Sequence, residues 1–180
     1  MAEAFSNSLT RAVGIVTTNS AGAIGVTTNK ITGISTVGVK LGDIVDNTNY
    51  LAGTKVSTIG AGEVVVDRDS TNTASASSQS VKFLGVTSCY TAPTASTKAI
   101  LIGGTFANNT LNSVNLTVEI YDNSASVAAQ LASKIPVPSG SSFVISDAGK
   151  TVLESQDVIR VYCDTSNAID VNMSILTGVS

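Results

Sequence analysis

Histidine and tryptophan are absent from this 180-residue chain, charged residues make up 13% of it, and it holds two cysteines and three prolines. Without histidine there is no Ser-His-Asp triad, no Cys-His nucleophile pair, no histidine-liganded zinc and no imidazole acid–base step. Aromatic residues reach only 4%, too few to pave a sugar cleft. Ten Lys plus Arg stand against thirteen Asp plus Glu, a net charge of −3, divided five against six in residues 1–80 and five against seven in 81–180. Neither half has the basic excess that phosphate contacts require, so no nucleic-acid partner is expected. No run approaches the roughly 18 apolar residues of a membrane helix, so no membrane partner is expected either. The opening Met1-Ala2-Glu3-Ala4-Phe5-Ser6-Asn7 has no basic stretch and no apolar run, unlike a secretory signal. Cys89 and Cys163 lie far apart, each inside a strand-like run, and are expected as free core thiols rather than a disulfide.

What is present is a normal hydrophobic share, 43%, punctuated by Gly, Ser, Thr and Asn. Apolar residues alternate or cluster in short runs broken every eight to twelve residues, which predicts an all-β chain. Residues 81–180 are expected to form an antiparallel, jelly-roll-like β-sandwich. Its clearest strands are Val114–Tyr121 and Ile169–Ile175, with others at Val81–Tyr90, Lys98–Phe106, Ser142–Ser146 and Asp157–Cys163. The expected core is Ile100, Ile102, Val114, Leu116, Val118, Ile120, Ile159, Val161, Val171, Met173 and Ile175. Ser126–Ser133 reads as a helical turn or as a loop carrying Leu131 inward.

Residues 30–80 read as a small β-barrel or meander with its linker. Strands are expected near Val37–Leu41, Ile44–Val45, Lys55–Ile59 and Glu63–Val66, with a hairpin at Ile59–Val64. The exit Ser70–Ser80 reads as linker plus short edge strand. Residues 1–29 form an N-terminal arm in which Val13-Gly14-Ile15-Val16-Thr17-Thr18-Asn19 is echoed by Ile24-Gly25-Val26-Thr27-Thr28-Asn29. The echo is either a pair of strands joined by Ser20–Ala23 or an arm that adds to a neighbour's sheet. A lesser expectation returns residues 8–18 to the large domain, making the small module an insertion.

Three acidic groups are the candidates for chemistry. Asp67-Arg68-Asp69-Ser70-Thr71-Asn72 offers hard oxygens but lacks the glycine and distal glutamate of a calcium loop. Asp43 with Asp46, and Glu154 with Asp157, are closely spaced carboxylates without an aromatic cleft, and read as solvated turns. Gly103-Gly104 and Gly60-Ala61-Gly62 are not followed by the lysine of a phosphate loop and read as turns or close backbone contacts. No catalytic, cofactor-binding or metal residue is predicted, and no enzyme.

Gly85-Val86-Thr87-Ser88-Cys89-Tyr90-Thr91-Ala92-Pro93 followed by Lys98–Asn108 resembles a pattern in virion structural proteins of tailed bacteriophages, particularly those infecting marine cyanobacteria. Ile135–Ser142 is similar to the proline and glycine crossover of those domains, and Val152–Asp157 to their turn before the final hairpin. Val39–Asp43, Gly53–Val56 and Ser70–Thr73 carry the likeness in the first module. The resemblance implies a virion structural protein assembled in the host cytoplasm: a capsid decoration or cement subunit, or else a neck, tail or fibre adaptor. It implies as partners the major capsid or other virion proteins and copies of itself, a trimer by analogy. The competing class, a carbohydrate-binding or adhesin module, predicts an exposed aromatic cluster around Tyr50, Tyr90, Tyr121 or Tyr162.

Overall fold

A computed structural model describes residues 3–94, 98–145 and 150–179, and every regular element among them is a β-strand. In chain order these are β1 (Ala4–Val13), β2 (Ile15–Ile24), β3 (Lys30–Thr32), β4 (Ile44–Asp46), β5 (Val56–Gly60), β6 (Glu63–Val66), β7 (Ala76–Gly85) and β8 (Thr87–Thr91). There follow β9 (Lys98–Asn108), β10 (Val114–Asp122), β11 (Val127–Val137), β12 (Ser142–Ile145), β13 (Thr151–Leu153), β14 (Val158–Cys163) and β15 (Ile169–Val179). The chain divides into two units, Met1–Gly14 with Thr87–Ser180, and Ile15–Val86. The second is inserted in the first. The boundaries therefore fall after residues 14 and 86 rather than after 29 and 80.

The larger unit is an antiparallel two-sheet sandwich. One sheet runs β1-β15-β9-β12, with β13 also paired to β9, and the other runs β11-β10-β14-β8. Alternation on β10, β14 and β15 places Leu116, Val118, Ile159, Val161, Met173 and Ile175 in a fully enclosed core, as expected. Ile120 is partly buried and packs against it.

Strand β9 departs from the expected faces. Ser174 pairs with Gly103 but Ile175 pairs with Leu101, so Ile102 is an extra residue in a bulge. The bulge switches the parity of the strand: Ala99 and Leu101 point inward before it, Gly104 and Phe106 after it, and Ile100 and Ile102 are left half-buried outside the core. Gly104 is a close contact, since a Cβ there would lie 3.2 Å from Met173 Cγ and from the Phe106 ring. Residues 127–137 are a strand, not a helical turn or loop. The N–H groups of Ser124 and Ala125 donate to Asp122 Oδ1, closing a tight turn that returns the chain along β10. Ala132 enters the core and Leu131 stays 38% exposed. The strand expected at Ser142–Ser146 is seen to Ile145, and Ser146 lies outside the described residues.

The inserted unit is a six-stranded sheet, β4-β7-β2-β3-β6-β5. A bridge between Ile44 and Lys55 joins its two ends, so the sheet closes as a small barrel around Ile24, Ile31, Val64, Val81 and Phe83. The hairpin at 59–64 is present, with Gly60 paired to Glu63 and Gly62 at φ 74°. Three expectations are corrected here. Val37–Leu41 makes turns rather than a strand, with Gly38 and Gly42 at positive φ. Ser20–Ala23 does not separate two strands but lies inside β2. Residues 70–75 hold no strand and residues 76–80, the start of β7, pair with β2 alone, in keeping with a linker plus short edge strand; β4 joins β7 only at residues 82–84. A tract poor in bulky side chains still forms a strand when one neighbour supplies a hydrogen-bonding edge. The segment 1–29 is no free arm: β1 pairs with β15 of its own sandwich, and β2 with β7 of the barrel.

Candidate interaction surface

Of the acidic residues singled out from the sequence, Asp43, Asp67 and Asp157 tie backbone segments together. Asp43 and Asp157 are buried rather than solvated. Asp43 Oδ2 accepts the Lys40 N–H at 2.7 Å; Asp157 accepts from Asn123 N–H at 3.1 Å and from Glu154 N–H at 2.9 Å. Burial pushes the Asp43 carboxyl above its usual range against the pull of the Lys40 N–H and charge. In the 67–72 cluster, Asp67 accepts the Lys55 N–H, while Ser70 Oγ donates to Gly25 O and Thr71 Oγ1 to Asn49 O. Among the described residues no three His, Cys, Asp or Glu side chains converge as a metal site. Glu119 is buried beside Arg160, 3.8 Å away, and that guanidinium lies 3.6 Å from the Tyr121 ring centroid.

Cys89 and Cys163 are free and buried, as expected. Burial pushes each thiol up to about 11, so neither is a nucleophile near neutrality. The tyrosines do not make an exposed platform. Tyr50 and Tyr162 are buried, and Tyr90 and Tyr121 are half-buried.

The feature that does stand out is the outer face of the β1-β15-β9 sheet. Phe5 pairs with Leu176, Leu176 with Ile100, and Ile100 with Val152, giving a row of four apolar residues across four strands. At one strand spacing per step the row is roughly 15 Å long. Phe5 is 78% exposed and Val152 48%. A second row, Leu9, Asn172, Thr105 and Val144, is apolar at both ends. A groove of about 290 Å³ lies along this face between Leu9, Thr105 and Ala107, with Arg11 and Asp170 beside it. Isolated exposed apolar residues are ordinary, whereas cross-strand rows of them mark contact surfaces.

Reasoning from the sequence missed this face. β1 carries inverted alternation: the small polar Ser6, Ser8 and Thr10 lie opposite the buried Ile175, Met173 and Val171. Ser8 Oγ donates to Cys89 O at 2.8 Å. Phe5 and Leu9 are thereby turned outward. Alternation along the strand separates two faces but does not say which is inside.

No family model and no curated protein matches this chain. Among solved structures it is similar to one described as the structure of infectious bursal disease virus Gx strain, at 9% identity and a TM-score of 0.33, covering 99% of this chain and 71% of that one. It is also similar to Arthrobacter globiformis T6 isomalto-dextranase complexed with panose, at 14% identity and a TM-score of 0.25, covering 91% of this chain and 34% of that one. The fold itself is an all-β chain whose larger unit is an antiparallel sandwich.

Proposed function

We propose that this chain is a structural protein of a tailed-phage virion, a capsid decoration or cement subunit that acts by binding the particle lattice rather than by catalysis. The observation that carries the reading is the apolar row Phe5, Leu176, Ile100 and Val152, exposed at both ends and half-buried between, on a sheet whose opposite face packs an apolar core. Such a surface gains from water exclusion when it meets another protein and desolvates few charges in doing so. The resemblance of residues 85–108 and 135–157 to phage virion domains supports the setting. A neck, tail or fibre-adaptor position uses the same surface on a different lattice. Burial of Tyr50 and Tyr162 disfavours the adhesin alternative, which requires exposed rings.

Antibody raised against the chain should label intact particles of the phage carrying this sequence, with the label distributed over the head. Purified chain should also bind heads lacking it, and the double variant Val144→Lys, Val152→Lys should bind at least about tenfold less while staying folded. Label confined to the tail would move the protein there. Absence from particles, or saturable binding to a sugar array, would overturn the reading.

A further inference from the structure

Strand β1 is an edge: β15 lies on one side of it, and no described strand is paired to the other. Natural edges are usually guarded by charge, proline or a bulge. Between Ala4 and Thr10 this one has neither charge nor proline, and its bulge comes only beyond Thr10, before Val13. Phe5 and Leu9 stand in solvent at 78% and 71% exposure.

Ahead of its bulge the outward residues of this strand are the odd-numbered ones, because Ser6, Ser8 and Thr10 face the core side; beyond it Val13 is buried. Read in order, with Glu3 one residue ahead of the strand, the alternate positions are Glu3, Phe5, Asn7, Leu9, Arg11: acid, apolar, amide, apolar, base. Arg11 lies with Leu9 along the outer groove, and Glu3 is exposed. This order is its own complement when reversed. Two copies of β1 laid antiparallel about a two-fold axis through Asn7 put Phe5 of each copy opposite Leu9 of the other. The same operation puts Glu3 of each opposite Arg11 of the other, and Asn7 opposite itself. Residues directly opposite in an antiparallel pair have Cβ atoms about 4.5–5.5 Å apart, close enough for apolar contact and within reach of an ion pair. A slip of two residues sets Glu3 against Leu9 or Arg11 against Phe5, so one register alone matches charge with charge and apolar with apolar.

We propose that the chain forms an isologous dimer by antiparallel edge pairing of β1 with β1 of a second copy, centred on Asn7. The inference stands independently of the virion reading. It joins two outer faces into one, so the row Val152, Ile100, Leu176, Phe5 continues through Leu9 of the second copy. The assembly it yields is a two-fold one, whereas the phage resemblance alone implied a trimer.

Sedimentation of the full chain over a range reaching about millimolar concentration should show a monomer–dimer equilibrium. Glu3→Arg and Arg11→Glu should each raise the dimer Kd about tenfold, since each places two like-charge pairs across the axis. The double variant, with both charges exchanged, should return to near the wild-type value, because opposite charges again face each other. Asn7→Cys should give a disulfide-linked dimer under mild oxidation, against a background of native thiols that are buried, whereas Ser6→Cys, opposite Ser8, should not. A chain that stays monomeric throughout, or a double variant no better than the single ones, would overturn the proposal. So would a dimer in which Asn7→Cys fails to cross-link. None of these measurements needs a phage particle, so failure here leaves the head-binding test standing, and the reverse.

Discussion

The sandwich and the barrel enclose apolar cores by different means. In the sandwich β9, β11 and β15 run eleven residues and β10 nine, so core positions repeat along continuous ladders. In the barrel only β2 and β7 are long; β3 and β4 have three residues each, β6 four and β5 five. Short strands make few ladder bonds, and the barrel supplements them with side chains bonded to main chain. Ser70 Oγ accepts the Thr28 N–H and donates to Gly25 O, Thr54 Oγ1 donates to Leu51 O, and Asn47 Oδ1 accepts the Asn49 N–H. Buried fasteners occur in the sandwich too, where Asn108 Nδ2 donates to Val137 O and Asp157 accepts the Asn123 and Glu154 N–H groups. The contrast that teaches most is therefore ladder length: the barrel rests more of its backbone on side chains because its ladders are short.

Core truncation should be the largest effect and similar in the two units. Leu116 and Phe83 are both 0% exposed. Leu116→Ala should cost the sandwich about 2–5 kcal/mol and Phe83→Ala the barrel about 3–5 kcal/mol. Hydrogen exchange resolved by residue would assign each loss to its own unit. An unchanged sandwich in Leu116→Ala would mean its inner and outer faces were reversed.

Polar truncation should cost more where one hydroxyl joins two backbone groups than where it makes a single bond. Ser70 is 5% exposed and its hydroxyl joins two backbone groups, so Ser70→Ala should cost the barrel about 1–3 kcal/mol. Ser8 is half-buried with one such bond, and Ser8→Ala should cost the sandwich about 0.5–1 kcal/mol. Denaturant midpoints showing equal losses would remove the contrast.

The smallest effect is in pH dependence, where one carboxylate of each unit should contribute in the opposite direction to the other. In the barrel, the Asp43 carboxyl is raised above its usual 3.8 chiefly by burial. The stability linked to its protonation is therefore fully present below that usual value and is lost as pH rises through the folded value. In the sandwich, Asp122 is lowered from 3.8, chiefly by the Ser124 hydroxyl and then the Ala125 N–H. Its contribution is present above the usual value and is lost as pH falls through the folded one. At neutral pH Asp43→Asn should stabilise and Asp122→Asn destabilise. Shifts of the same sign in the two unfolding midpoints would break the distinction.

The sequence by itself determined the all-β character, the core-facing residues of Val114–Tyr121 and Ile169–Ile175, the hairpin at 59–64 and the two free core thiols. Each follows from local signals: period-two alternation, turn glycines, or a thiol inside an apolar run. Tertiary structure alone decided the rest. Thr117 and Glu119, on the other face of Val114–Tyr121, are buried where a wet face was expected. Whether Phe5 or Ser6 faces solvent depends on pairing with Leu176 and Ile175, 171 and 169 positions away in the chain. Ile100 and Ile102 lost their expected core places because β15 pairs across a bulge that no local pattern marks. Residues 76–80 became strand because β2 offers them an edge, and the barrel closed through a bridge between Ile44 and Lys55. The physical reason is common to all of these: a strand's alternation defines two faces, but its distant hydrogen-bonding partners decide which face is buried and where the register slips.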